Sequence, residues 1–306
     1  MRYFIALDIG GTNIKYGIVN EYGAMKYQSS IPTEIEYGIG HLYGNVEQVV
    51  QLLLNKSYPV TGIGISTTGV VNTDTGEIIH SGETMPGYVG VNWKSRLEKK
   101  FQKDVIVEND VNAAALGESW TGAGNDSETF YCMTLGTGIG GAFVMNKRLY
   151  RGSNFRTGEI GYTGKQFAED LNYEQKAAVS VLSNKSVHGS ENRALNGKLI
   201  FKHAKEGDEY CLSLVEEWMN EAAKGVASII CILDPGLIII GGAISEQKKF
   251  FIERLQKALR IYLPDVFVDG VTIRTAECGN AAGMIGAVYP FVERLPNGSD
   301  GNEIYD

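Results

Sequence analysis

Cysteine is scarce: the 306 residues hold four, Cys132, Cys211, Cys231 and Cys278, and none forms a C-x-x-C pair. Neither a disulfide framework nor a thiolate zinc site is therefore expected. Three of the four, Cys132, Cys211 and Cys231, sit in apolar segments, where the thiol is expected to act as a small hydrophobe. Long apolar runs are missing too. No stretch approaches the roughly 18 residues of a membrane helix, and the start of the chain shows no basic stretch followed by a small-residue cleavage site. A cytoplasmic protein with no membrane partner is expected. Clustered basic charge is also absent, because 28 Lys and Arg face 36 Asp and Glu and the formal net charge is −8. The one short basic run, 94–103, is interrupted by Glu98 and reads as a solvated helix face. A nucleic-acid partner is thereby disfavoured, since phosphate binding needs gathered Lys and Arg. No G-x-x-x-x-G-K-[ST] occurs, which excludes a P-loop.

What is present is a globular composition, 43% hydrophobic and 21% charged, long enough for two cores. Residues 4–19 read strand, glycine turn, strand, with Asp8, Gly10, Gly11, Thr12 and Lys15 around the turn. The same pattern returns at 130–144, with Gly136, Thr137 and Gly138 at its turn. Two similar units so far apart predict two domains built on one plan, divided near residue 116 into 1–116 and 117–306. Helical spacing over 41–56, a buried strand at 60–67 and a further strand at 104–107 make the fold class α/β. A helix is expected from Ala113, with Asp110 a cap candidate at its start. Another helix is expected over 212–233, stopped by Pro235 and Gly236, before a strand that runs into Gly241 and Gly242. The tail 296–306 is acidic, bears Gly and Asn, and is expected to fray.

Gly136-x-Gly138-x-x-Gly141 matches the dinucleotide fingerprint, which requires a helix directly after the glycines. Residues 142–150 read instead as strand, turn and strand, so a Rossmann site is not expected. Two glycine-bearing hairpin tips do suit another task, the approach of backbone N–H groups to phosphate oxygens, because glycine has no Cβ in the way. Thr12, Thr137 and Lys15 would add side-chain donors. Either turn alone is more simply an ordinary turn.

These motifs together resemble the ROK sugar kinases of the actin-like, hexokinase-type superfamily. Asp8-Ile-Gly-Gly-Thr-Asn13 matches the first phosphate motif, residues 136–141 the second, and Ile240-Gly-Gly242 the adenosine motif, with the segments 108–118 and 158–161 between them. The resemblance implies two actin-like, ribonuclease H-like domains with a central cleft, ATP and Mg²⁺ as cofactors, and a homodimer. It implies that Asp110 takes the proton of the sugar's 6-hydroxyl as that oxygen attacks the γ-phosphate, that Asn109 and Glu159 hold sugar hydroxyls, and that Asp8 faces Mg²⁺ through water. Glu174 is the candidate for a second sugar-binding Glu. Against these stand blander readings, a helix cap for Asp110 and a solvated loop residue for Glu159.

One departure matters. Many members read Glu-x-Gly-His followed by a cysteine-rich zinc loop, whereas this chain reads Glu159-Ile-Gly161-Tyr162 with no cysteine between Cys132 and Cys211. No zinc site is expected, and Tyr162 stands where the family's His reads the sugar near its anomeric carbon. An aromatic ring there suits a group attached at C1, so the expected acceptor is a β-glucoside such as cellobiose. The alternatives are a glucokinase or N-acetylmannosamine kinase, and, from other classes, a non-catalytic sugar sensor or a helix-turn-helix repressor. The first phosphate motif beginning at Phe4 and the negative charge weigh against the repressor.

Overall fold

The computed structural model describes residues 1–165, 170–188 and 195–294. The chain divides into two compact units, one of residues 1–113 together with the chain from 284 onward, the other of residues 114–283.

In the first unit β1 (Tyr3–Ile9) and β2 (Asn13–Asn20) form the expected hairpin and β3 (Met25–Pro32) extends it. Helix α1 (Ile39–Leu54) buries Leu42, Val46, Val49, Val50 and Leu53, the stripe its spacing predicts. It delivers the chain to β4 (Val60–Thr67), parallel to β1. A small hairpin follows, β5 (Val70–Asn72) with β6 (Glu77–His80). Next comes α2 (Trp93–Phe101), capped by the Asn92 side chain, which accepts from the Ser95 N–H. Strand β7 (Asp104–Asn109) then lies parallel to β4, giving the order β3-β2-β1-β4-β7. Edge strand β3 alternates half-buried with exposed residues, whereas β4 is buried at seven of its eight positions, as a central strand covered on both faces must be.

Helix α3 (Asp110–Thr121) carries the chain into the second unit, where the plan repeats. Strands β8 (Phe130–Leu135), β9 (Ile139–Met145) and β10 (Arg148–Tyr150) are antiparallel. Helices α4 (Tyr173–Ala177), α5 (Val179–His188), α6 (Gly197–Lys205) and α7 (Glu209–Leu233) precede β11 (Leu237–Gly241), which is parallel to β8. Then come α8 (Lys249–Tyr262), α9 (Asp265–Asp269) and β12 (Thr272–Thr275), parallel to β11. The order β10-β9-β8-β11-β12 matches the first sheet strand for strand. The strand that follows the second glycine turn confirms that the dinucleotide fingerprint is spurious. Trp218 of α7 packs edge-on against Phe201 and donates its indole N–H to the Ala177 carbonyl, which pins α4 and α6 to the core helix. Cys132 and Cys211 are buried as expected, but Cys231 is exposed: α7 is amphipathic, and the apolar run 229–233 wraps around it onto its outer face.

The last helix, α10 (Ala282–Glu293), departs from the 117–306 assignment, because from Met284 onward it belongs to the first unit. The cause lies in β4. A Cβ on Gly64 would collide with the Ala287 carbonyl, and one on Gly62 would lie 2.8 Å from the Phe291 ring. Two missing side chains let α10 sit directly on the sheet, with Phe291 stacked on Phe4 at 5.3 Å between centroids. The tail 296–306 lies outside the described residues. Among the described residues no helix is long and apolar enough to cross a membrane. Gly64→Ala is expected to lower stability by about 2 kcal/mol or more in urea unfolding. Gly44→Ala, in α1 with nothing within 4 Å of the added carbon, should be neutral or stabilising by up to about 1 kcal/mol.

Candidate active site

The first glycine turn is tied together by main chain and by one buried hydroxyl. Gly10 donates its N–H to the Asn13 carbonyl, Thr33 donates its Oγ1–H to the Gly10 carbonyl at 2.6 Å, and the Thr33 N–H binds the Thr12 carbonyl. Thr33 is fully buried, and sequence reasoning missed it. Gly11 lies against Thr84, 3.4 Å from where its Cβ would be. Asp8 precedes the turn, and the sheet register sets Lys15 beside it on β2 and Ser66 beside it on β4. Lys15 donates to Asp8 Oδ2 at 3.0 Å and Ser66 to Asp8 Oδ1 at 2.8 Å. Lys15 thus spends one of its three donors on Asp8, where the sequence reading had it facing phosphate alone.

At the end of β7 the N-cap of α3 is Asn109, not Asp110. Asn109 Oδ1 accepts from the N–H groups of Val111 and Asn112, both at 3.0 Å, and its amide donates to the Gly69 carbonyl at 3.0 Å and to Asp110 Oδ1 at 2.9 Å. The cap, worth about 1 kcal/mol, therefore belongs to Asn109. Asp110 is the first residue of the helix, its Oδ1 also accepting from Val111 N–H. The carboxylate of buried Glu108 accepts from the Asn109 N–H and from the Asn112 amide, both at 3.0 Å. Beneath this junction Thr67, the register partner of Asn109, shares a 2.6 Å hydrogen bond with the Tyr88 hydroxyl, which also accepts from the Trp93 indole at 2.7 Å. Burial pushes the Tyr88 phenol well above its ordinary value, and the Asp110 carboxylate acts in the same direction, so it stays neutral. Ser66 and Thr67 are the polar end of an otherwise apolar strand, a signal the sequence did carry.

In the second unit the Gly136 loop is held from two sides. Val179 N–H donates to the Gly136 carbonyl at 2.9 Å and Ser180 Oγ to the Thr137 carbonyl at 3.0 Å, while Gly136 N–H closes on the Gly138 carbonyl. Glu174 on α4 lies against the same loop: its Oε2 accepts from Ile139 N–H at 2.8 Å and would lie 2.7 Å from a Cβ on Gly138. The expected second sugar ligand is thus also a brace for the second glycine loop. Gly242, at φ 83°, abuts the Leu135 carbonyl at the mouth of that loop, and Gly241 pairs with Thr134, so the second and third glycine motifs meet. Gly158, at φ 94°, is pressed on the Gly141 carbonyl, and its own carbonyl accepts from the Tyr131 hydroxyl at 3.4 Å. That contact seats Glu159. Tyr162 follows on a short tight turn and is 56% exposed. Partial burial first, then the carboxylates of Glu159 and Glu174, raise its phenol above the ordinary value, which puts the three side chains in one neighbourhood.

Comparison with known proteins identifies the family. A model of the ROK family matches residues 4–293. The chain belongs to the ROK family. With that membership come the two-domain actin-like fold and the activity class of an ATP-dependent carbohydrate kinase. Among ROK relatives, a β-glucoside kinase of Listeria innocua is 33% identical over 94% of this chain and 97% of its own length. A glucokinase of Halalkalibacterium halodurans is 28% identical over 99% and 98%. The solved structure of a ROK family protein from Streptococcus pneumoniae TIGR4, in complex with sucrose, superposes with a TM-score of 0.82 at 28% identity, covering 95% of this chain and 98% of that one.

Gly158→Ala tests how the second glycine loop and Glu159 depend on one contact. A Cβ there meets the Gly141 carbonyl at a backbone angle that L residues rarely adopt. The expected outcome is a fall in kcat/KM of about 100-fold or more with the circular dichroism of the fold retained.

Proposed function

We propose that this kinase moves the γ-phosphate of ATP to the 6-hydroxyl of a glucose-type sugar, and that its favoured acceptor is a β-glucoside such as cellobiose or an aryl β-glucoside. The observation that carries the acceptor is Tyr162. It stands where zinc-bearing members of the family read His, half exposed and beside the carboxylates of Glu159 and Glu174. Two carboxylates are acceptors suited to sugar hydroxyls, and a phenol ring offers an apolar face against which a second sugar or an aglycone at C1 packs. The relative from Listeria innocua supports this acceptor; the glucokinase from Halalkalibacterium halodurans supports glucose itself as the second reading.

Asp110 is the proposed base. Its carboxylate stands at the N-terminus of α3 with one oxygen held by the Asn109 amide and the Val111 N–H. Phosphoryl transfer needs alignment and charge neutralisation more than covalent help, so the base takes the hydroxyl proton while the glycine turns, with Gly10, Gly11, Thr12, Gly136, Thr137 and Gly138, supply N–H and hydroxyl donors to the phosphates. Gly241 and Gly242 leave room for the adenosine. Magnesium is the proposed metal, and the donor set fits it: Asp8 is a hard-oxygen ligand locked in place by Lys15 and Ser66, and Mg²⁺ is commonly held by one or two carboxylates with water and substrate phosphates. Asp8 would hold it through water; when bound, the ion neutralises charge on the transferring group. Zinc is not part of the proposed site.

Two measurements test these assignments. Asp110→Asn should keep the fold and much of the sugar affinity while kcat drops by about 100-fold or more; near wild-type turnover with every acceptor would remove Asp110 from the chemistry. After exhaustive zinc chelation and with Mg²⁺ and ATP supplied, kcat/KM for cellobiose should exceed that for glucose and for N-acetylmannosamine. A free monosaccharide preferred tenfold or more would sink the glucoside assignment and leave the kinase standing.

A further inference from the structure

We infer that Glu174 is a positioning residue for the second glycine loop, and that through it the acceptor strengthens the binding of the nucleotide. The inference rests on the proposed reading of that loop as a phosphate site and of Glu174 as a sugar ligand. The carbonyls of the loop are all engaged: Gly136 accepts from Val179 N–H, Thr137 from Ser180 Oγ, and Gly138 from Gly136 N–H. The donor that follows them, Ile139 N–H, belongs to a buried residue and goes to Glu174 Oε2 at 2.8 Å. Removing that acceptor leaves a buried N–H without a partner, and the chain just after the loop must shift to find another. Among the described residues the N–H groups of Thr137 and Gly138 have no partner. These two adjacent donors are what the loop can offer a phosphate oxygen, and the contacts around them set where they point.

Neighbouring residues are shaped to bring the carboxylate there. Its Oε2 would lie 2.7 Å from a Cβ on Gly138, so the absence of a side chain lets it close on the loop. A Cβ on Gly161 would lie 3.3 Å from the Glu174 Cβ and 2.8 Å from the Ile139 carbonyl, so the turn that carries Tyr162 packs on the same two residues. Tyr173 N–H donates to the Thr163 carbonyl at 2.6 Å, and a capping box of Asn172 with Gln175 fixes the start of α4. Glu174 is thereby wedged between the glycine loop and the turn bearing Glu159 and Tyr162. Oε2 is committed to the loop, whereas Oε1 has no hydrogen-bond partner among the described residues. An acceptor hydroxyl donating to Oε1 would give the carboxylate a second fixed bond. The freedom removed when sugar binds need not be removed again when the nucleotide arrives, and linkage makes the effect reciprocal.

Glu174→Ala and Glu174→Asp both lose the bond to Ile139, the second because its carboxylate is one methylene short, while Glu174→Gln keeps an oxygen for that N–H. The full-length enzymes are titrated calorimetrically with Mg²⁺ and the non-hydrolysable nucleotide AMPPNP, first without sugar and then with saturating cellobiose or glucose. Without sugar, the alanine and aspartate variants should bind AMPPNP about tenfold or more weakly than wild type, and the glutamine variant within about threefold of it. Sugar should tighten AMPPNP by about fivefold or more in the wild type and by less than about twofold in Glu174→Ala. Nucleotide affinity unchanged in the alanine and aspartate variants, or lowered as much by glutamine as by alanine, would overturn the positioning role. A sugar effect undiminished in Glu174→Ala would overturn the coupling. Should the alanine variant not fold, Glu174→Asp decides both points. The kinase reading fails separately, if the wild-type enzyme binds no AMPPNP or phosphorylates no sugar.

Discussion

Three parallel neighbours, β1, β4 and β7, end in step, and that register assembles the polar half-site of the first unit. Asp8 pairs with Ser66, and Thr67 pairs with Asn109, so residues far apart in the chain arrive side by side at the carboxyl edge of one sheet. Carboxyl edges of parallel strands are where an open α/β sheet places ligands, because there the chain turns away and the side chains of the last residues are free to converge. A slip of one residue in β4 would carry Ser66 to the opposite face and leave Asp8 with Lys15 alone.

The second sheet has the same strand order but uses its corresponding edge differently. Both units present glycine loops and carboxylates there, and in the second the main chain is gathered most densely: the Gly136 loop braced by Glu174, Gly241 and Gly242 at the end of β11, and Gly158 on Gly141. The two kinds of group do different things. Carboxylates make a site for a cation and a proton, whereas closely packed glycines expose backbone dipoles to anions.

Local signals made much of this legible. Both hairpins, α1, β4, β7 and the strand after the second glycine turn follow from alternation, helical spacing and turn residues. Distance in sequence hid the rest. Nothing near Thr33 announces that its hydroxyl staples Gly10, and nothing near Gly62 and Gly64 says that a helix more than 200 residues later covers them. The cap at α3 misled for a subtler reason: Asn and Asp are both good N-caps, and adjacent candidates compete until the backbone decides which one precedes the first helical residue. The backbone gives the capping duty to Asn109.

The return of α10 to the first unit makes the second unit an uninterrupted insertion within the first. During vectorial synthesis the two therefore mature in an order opposite to their order in the chain. Residues 114–283 are contiguous and can close their own core as soon as they leave the ribosome, while the first sheet waits with the Gly62 and Gly64 face of β4 bare until residues 284–293 emerge. A nascent chain stalled anywhere before that point carries an apolar, notched sheet face open to chaperones and to other nascent copies. A ribosome pausing before residues 284–293 emerge would therefore leave the half of the protein that holds Asp8 and Asp110 unfinished, whatever the state of the half that holds the Gly136 loop.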